Sequence, residues 1–530
     1  MSLASIGSEA IAELRLPSIL GSNMVLQQQL PVRIWGWANP GKEVSVDFAG
    51  QHKTTKADEK GAWKLELDAM PASAESRTLK VSAKGEGKTV ELTNVLVGEV
   101  WICSGQSNMA MGFGKLKSRF AADFTESFPT MRVTTLPLLA AYRPKEDFPA
   151  LSWVICDTNR IGQMSAVAFY FGRDLQRHLK VPIGLIVASV GGTPIEPWTP
   201  RSCFEADTET KPVLDTWEQE LDAIPGVRDG FDEAHKNWLK TCQDYATGPY
   251  AQWKKASDEA KAAGKTAPPP PPDPNTGPLC YRTPTVIYNA MIAPLTSLTM
   301  RGVAWYQGES GSGTGNPEIY RKLFTAMIPA WRQAWNRGDF PFLIVQLPYI
   351  TAANTDPNER AEVATSREGQ RRAAAANPNT ALVVTIDTGD DNDLHPANKN
   401  VVGARLALAA RARAYGEKIA WSGPLVKSID KLDGKVRVSF DLVGGGLVAK
   451  GDDGNLSDKA IIKGFALAGG DGKYFWANAT IAGDTVLLHC AEVTKPVMVH
   501  YGYANHPVCT LFNRDGLPAT PFEMKLATPK

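Results

Sequence analysis

The period of the hydrophobic positions changes twice along the chain. From residue 16 to about residue 93, apolar and polar side chains alternate in short runs, Val32–Trp37, Val44–Phe48, Trp63–Leu67 and Leu79–Ala83, separated by turn sequences such as Asn39-Pro40-Gly41 and Glu59-Lys60-Gly61. Alternation at period two bounded by turn residues predicts strands with one buried face, and four in succession predict a small β-sandwich. From Val95 the pattern becomes apolar runs (Val95–Cys103, Ile183–Val190, Gly302–Tyr306, Phe342–Leu347, Leu382–Ile386) alternating with the amphipathic stretches Ser165–Leu179, Tyr320–Trp335 and Val401–Tyr415. Strands apolar at every position are buried on both faces, and helices between them are the crossovers of a parallel sheet, so the expected class is α/β. After Ser422 period two returns in Val436–Phe440, Tyr474–Ile481, Val486–His489 and Val497–Tyr501. The expected layout is an N-terminal β-domain over 1–93, an α/β unit over 94–421 and a C-terminal β-domain over 422–530.

One segment breaks the α/β rhythm. Residues 201–280 carry charged helical stretches followed by five prolines, Pro268 to Pro272. Such a run is an extended, semi-rigid spacer, and a surface insertion with exposed, mobile ends is expected. No repeat of 20 to 50 residues stands out, which excludes a solenoid or propeller.

Charge and cysteine usage narrow the function. Lys plus Arg is 57 against 56 for Asp plus Glu, a net charge of +1, so no long-range field gathers nucleic acid or an anionic membrane. No apolar run approaches the roughly 18 residues of a membrane span. Seven scattered cysteines without a CxxC pair give no zinc or dithiol motif and leave disulfide pairing open. The N-terminus lacks the basic start and long apolar run of a secretory signal.

The candidate chemistry gathers where strands end, the place where open parallel sheets bind ligands. Val95–Cys103 runs into Gly105-Gln106-Ser107-Asn108, making Ser107 a nucleophile candidate, although the second glycine of a G-x-S-x-G elbow is missing. Of seven histidines, His52, His489, His500 and His506 fall in the β-rich ends, His178 in a charged helical stretch and His235 in the insertion. That leaves His395 as base candidate, in an Asp-rich loop after an apolar strand. Asp390, Asp391 and Asp393 all stand near enough in sequence to orient it. Gly191-Gly192-Thr193 and Gln307-Gly308-Glu309 end two further strands and offer donors for an oxyanion.

Four blocks, Gly105-Gln106-Ser107-Asn108-Met109, Gly191 to Trp198, Trp305 to Ser310 and Asp393-Leu394-His395-Pro396, closely resemble those of the sialate O-acetylesterase family of SGNH (GDSL-like) hydrolases. Leu20 to Gln27, Tyr288 to Leu295 and Tyr503 to Cys509 also resemble family segments, so the resemblance covers nearly all of the chain except the insertion. It implies an SGNH-type fold, with Ser107 as nucleophile, His395 as base and Asp393 as orienting carboxylate. The oxyanion hole would be the N–H groups of Ser107 and Gly192 and the side chain of Gln307. No metal or organic cofactor is implied. The expected substrate is an O-acetylated sugar, foremost a 9-O-acetylated sialate, in a periplasmic or secreted setting. Acetylated xylan or another polysaccharide is the enzyme alternative, and an inactive carbohydrate-binding protein the alternative of another class. Gly311 replaces a common family asparagine, and the insertion is long. Trp101, Trp198 and Trp305 lie near strand ends, where core packing is the expected role ahead of sugar stacking.

Overall fold

The fold is a computed structural model describing residues 13–526 apart from 86, 117, 118 and 360. One strand organises it. Thr89–Gly105 is 17 residues long and runs without a break across residue 93. Its first half pairs antiparallel with Ser73–Ala83 and its middle pairs parallel with Val25–Gln27. Its last third pairs parallel with Ile183–Ser189 on one side and Gly302–Tyr306 on the other. The N-terminal β-structure and the α/β sheet therefore share a backbone.

Named by first residue, the α/β strands lie in the order Thr380, Phe342, Gly302, Thr89, Ile183, Phe128, Val154. All neighbours pair parallel except the edge strand Val154–Cys156, which is antiparallel to Phe128–Thr135. Both faces are covered, as the apolar runs require. Within the long strand Val100 and Ile102 enter one core with the helix Pro317–Trp335, while Trp101 and Cys103 enter the other with Ala166–Leu179 and Lys399–Tyr415.

Gln27, which closes the family-like segment near the N-terminus, and its neighbour Gln28 have a structural role. Glu99 is fully buried in the long strand and takes hydrogen bonds from Gln27 Nε2 (3.0 Å), Gln28 Nε2 (2.7 Å) and both arms of Arg301 (2.7 and 3.0 Å). Such a pair is costly to break, about 3–5 kcal/mol for removal of one partner, because the other charge stays buried.

The helix Glu362–Ala376 carries no apolar stripe that the sequence could reveal, because its buried face includes Arg367, Glu368 and Gln370. Arg367 is fully buried, and its guanidinium donates to the carbonyls of Leu347 (2.9 Å), Pro348 (2.7 Å), Ala504 (2.6 Å) and Asn505 (2.9 Å). Burial lowers its pKa to about 9. It fastens the α/β unit to the C-terminal β-structure, whose strands form three small sheets around a core of their own.

The insertion forms the helices Arg201–Glu205, Lys211–Asp222, Phe231–Thr247 and Pro249–Ala262. The proline run folds back on the last two. Trp253 Nε1, Tyr245 Oη and Trp238 Nε1 donate to the carbonyls of Pro268 (2.8 Å), Pro271 (3.1 Å) and Pro274 (2.9 Å). Extended proline backbone has no internal hydrogen bonds, so its carbonyls are free for such donors. Among the described residues all seven cysteines are free, and no helix is long and apolar enough to cross a membrane.

Candidate active site

Ser107 stands two residues beyond the end of the central strand, at the start of the short helix Ser107–Ala110, and the local backbone explains why glycine precedes the turn. Gly105 has φ +132°, and a Cβ there would lie 2.0 Å from the carbonyl oxygen of Tyr306 on the next strand. Glycine alone lets the chain leave the sheet so close to its neighbour. Gln106 is buried and locks the turn to the adjacent strand end, its Oε1 accepting from the N–H groups of Gly308 (3.3 Å) and Ser310 (3.4 Å).

His395 arrives from the loop after Thr380–Val383. Its Nε2 lies 2.8 Å from Ser107 Oγ, across 288 residues of chain. Burial, and next the positive charge of Lys399, lower the pKa of the imidazole, which favours the neutral base at neutral pH. On the other side of the nucleophile, Gly191 sits so close that a Cβ on it would be 3.4 Å from Ser107 Cβ. Among the described residues no backbone carbonyl takes the N–H of Ser107 or Gly192. Gln307 is buried, and its Nε2 donates to the Thr193 carbonyl at 3.0 Å, which joins the two flanking strand ends.

A hydroxyl held by a neutral imidazole beside free backbone donors can attack an acyl carbon. The comparisons with known proteins agree with that chemistry. The sequence profile described as "Carbohydrate esterase, sialic acid-specific acetylesterase" matches residues 97–220 and 279–412, its gap falling in the insertion. Sialate O-acetylesterase of Rattus norvegicus is 31% identical over 468 residues, covering 81% of this chain and 79% of the relative. The chain belongs to the sialate O-acetylesterase family. The Mus musculus enzyme is 30% identical over 472 residues, covering 83% of this chain and 81% of the relative. A crystal structure of a carbohydrate acetylesterase from Xanthomonas citri superposes with a TM-score of 0.75 at 31% identity, covering 97% of this chain and 99% of that one. The protein is thus a carbohydrate esterase that hydrolyses acetyl esters, which displaces the inactive-binder alternative.

Within this esterase the three aspartates of the His395 loop hold different positions. Asp393 Oδ1 accepts from the backbone N–H of His395 at 2.7 Å and lies 3.7 Å from its Nδ1, beyond hydrogen-bond range. Asp391 belongs to another histidine. His506, from the C-terminal β-structure, bonds the Thr351 carbonyl through Nδ1 (2.9 Å), which also lies 3.0 Å from Asp391 Oδ1, while stacking on Tyr349 with ring centroids 3.8 Å apart. Asp390 Oδ1 accepts the N–H of Asn392 at 2.9 Å.

Asn108 is the residue that motif reading left without a role. It is fully buried, donates to Glu309 and to the Leu394 carbonyl (3.0 Å), and accepts from Lys399 Nζ. The residue after Ser107 therefore grips the carbonyl before His395. Burial raises the pKa of Glu309 and lowers that of Lys399 to about 8. Lys399 also lies over the Tyr306 ring, 5.3 Å from its centroid. Glu196 likewise works from within, accepting from the Gly313 N–H at 2.9 Å and so fixing the loop after Ser310.

The three tryptophans are core residues. Trp101, Trp198 and Trp305 are fully buried, Trp305 meeting Trp198 and Trp331 edge-on at 5.5 and 5.8 Å. Truncating any of them would cost about 3–5 kcal/mol through the cavity left behind.

Proposed function

We propose that the esterase works through an acetyl-serine intermediate formed on Ser107. Ser107 Oγ attacks the acetyl carbonyl carbon as His395 Nε2 takes its proton. The oxyanion is met by the N–H groups of Ser107 and Gly192 and by the second amide N–H of Gln307. Collapse breaks the ester C–O bond, and His395 returns its proton to the departing sugar oxygen. Water then repeats the sequence, His395 taking its proton, to release acetate and free Ser107. Asp393 is the carboxylate placed to steady the imidazolium, its 3.7 Å separation closing when charge develops on the ring. The observation that carries this reading is the 2.8 Å contact between Ser107 Oγ and His395 Nε2.

For the sugar, the named relatives support an O-acetylated sialate, and we take the ester to be at O9. A second reading, a neutral polysaccharide such as acetylated xylan, is favoured by Glu359, Glu362 and Glu523, which line the cleft adjoining the site. We place the enzyme in the periplasm or outside the cell, and fractionation of the producing cells tests that. Acetate release from p-nitrophenyl acetate, lost in Ser107→Ala, tests the mechanism, and unchanged release would remove Ser107 from it. Release from 9-O-acetylated sialic acid against acetylated xylo-oligosaccharides separates the two substrate readings.

A further inference from the structure

The strand-end turn at 307–312 also opens onto a second space. A cleft of about 920 Å³ starts at Glu309, Ser310 and Gly311, follows the helix Glu362–Ala376 and ends against Tyr474, His500 and Tyr503 of the C-terminal β-structure. Its near end touches both catalytic segments. Ser310 Oγ lies 3.5 Å from Gln106 Nε2, beside the nucleophile, and Ile350 forms a β-bridge with Asp390 on the loop of the base. An acetyl group is a few atoms, whereas clefts of roughly 300–1,000 Å³ hold whole ligands.

The far wall holds an unmet hydrogen-bonding demand. His500 is 2% exposed, and neither ring nitrogen has a partner. Burial pushes its pKa down to about 4, so the ring is neutral and presents one donor and one acceptor. It stacks on Tyr474 at 4.2 Å and lies 5.7 Å from Tyr503. Sugar hydroxyls both donate and accept, and the C–H face of a pyranose packs on aromatic rings. The charge in the cleft selects among sugars. Glu359, Glu362 and Glu523 line it, and no lysine or arginine does among the described residues. A sugar carboxylate would meet like charge there, while neutral hydroxyls meet acceptors.

We propose that this cleft is a subsite for neutral pyranose units of an oligosaccharide, holding the rings beyond the one whose acetyl ester is cleaved, with His500 as its hydrogen-bonding centre. The proposal rests on the esterase reading of Ser107 and His395, which supplies the reacting end. Titration calorimetry of the intact enzyme with xylotetraose, cellotetraose, mannotetraose and trisialic acid tests it. At least one neutral tetrasaccharide should bind, and trisialic acid should bind at least tenfold more weakly. His500→Phe keeps the ring stack but removes both nitrogens, and should weaken the neutral sugar at least tenfold with an unchanged melting temperature. Ser366→Trp, which fills the cleft from the helix side, should abolish binding and carries the test should His500→Phe fail to fold. Absence of binding by all three neutral sugars, tighter binding of trisialic acid, or wild-type affinity in the folded variants would overturn the proposal. Binding is read without hydrolysis, so failure of the esterase reading, seen as p-nitrophenyl acetate turnover surviving Ser107→Ala, is a separate result.

Discussion

Ser107 and His395, the proposed nucleophile and base, are held in opposite ways. Ser107 is fixed by backbone, at the end of a strand paired on both sides, with a glycine leaving no slack against Tyr306. His395 sits in an irregular loop in which Asp391 and Asp393 are exposed and whose position depends on side chains reaching in from elsewhere: Asn108 on the Leu394 carbonyl and His506 on Asp391. A parallel sheet can aim one group by its own ladder, but a second group that must meet it from a loop has to be tethered. The position of His395 relative to Ser107 therefore depends on side chains, Asn108 and His506, that lie outside the proposed Ser107–His395 pair.

Variants can break that contrast in order of expected effect. Ser107→Ala removes the attacking group from an otherwise intact turn and should lower kcat by at least about 10³-fold with unchanged thermal unfolding. Asn108→Ala leaves the turn in place but frees the base loop and strands Glu309 and Lys399. A misplacement of about 1 Å is worth roughly 10²-fold in rate, so kcat should fall by about that factor with KM nearly unchanged. A drop below threefold would show that the loop holds itself.

Asp393→Asn should lose at least about tenfold more kcat than Asp390→Asn, a smaller ratio than the roughly 10⁴-fold of a fully bonded triad because Asp393 stands 3.7 Å from Nδ1. Equal, mild losses would reduce the machinery to a Ser-His pair. The smallest effect concerns pH. In the proposed mechanism the neutral imidazole is the active form, so kcat/KM should fall as pH drops through the His395 pKa, which burial and Lys399 hold below the ordinary 6.5. The acid limb should lie below 6.5, and Lys399→Met should move it upward. An unmoved limb would mean that Lys399 does not act on the base.

The same contrast explains what was legible in the sequence. Ser107 and His395, which the fold brings to 2.8 Å, are legible as candidates because strand ends are readable from apolar runs, and His395 is the one histidine in a loop after a strand of the α/β unit. The tethers were not readable. Asn108 meets Glu309 and Lys399 across 201 and 291 residues, and no local pattern encodes such a meeting. The helix Glu362–Ala376 escaped notice because Arg367 reads as solvent-facing until its four carbonyl acceptors are seen. The docking of the proline run did leave a trace, since Trp238, Tyr245 and Trp253 recur at seven- and eight-residue intervals just before it. That spacing puts Trp238 and Tyr245 two turns apart on one helix, with Trp253 on the next.

The 17-residue strand has a consequence for how the molecule comes apart. Residues that pair with the N-terminal sheet and residues that lead into Ser107 lie on one continuous ladder, with the buried Glu99–Arg301 pair between them. Fraying that begins at the N-terminal edge has no loop at which to stop before the nucleophile. Denaturant should therefore abolish activity and melt the N-terminal β-structure in one cooperative transition, and amide protons from Val95 to Cys103 should exchange only through that global opening.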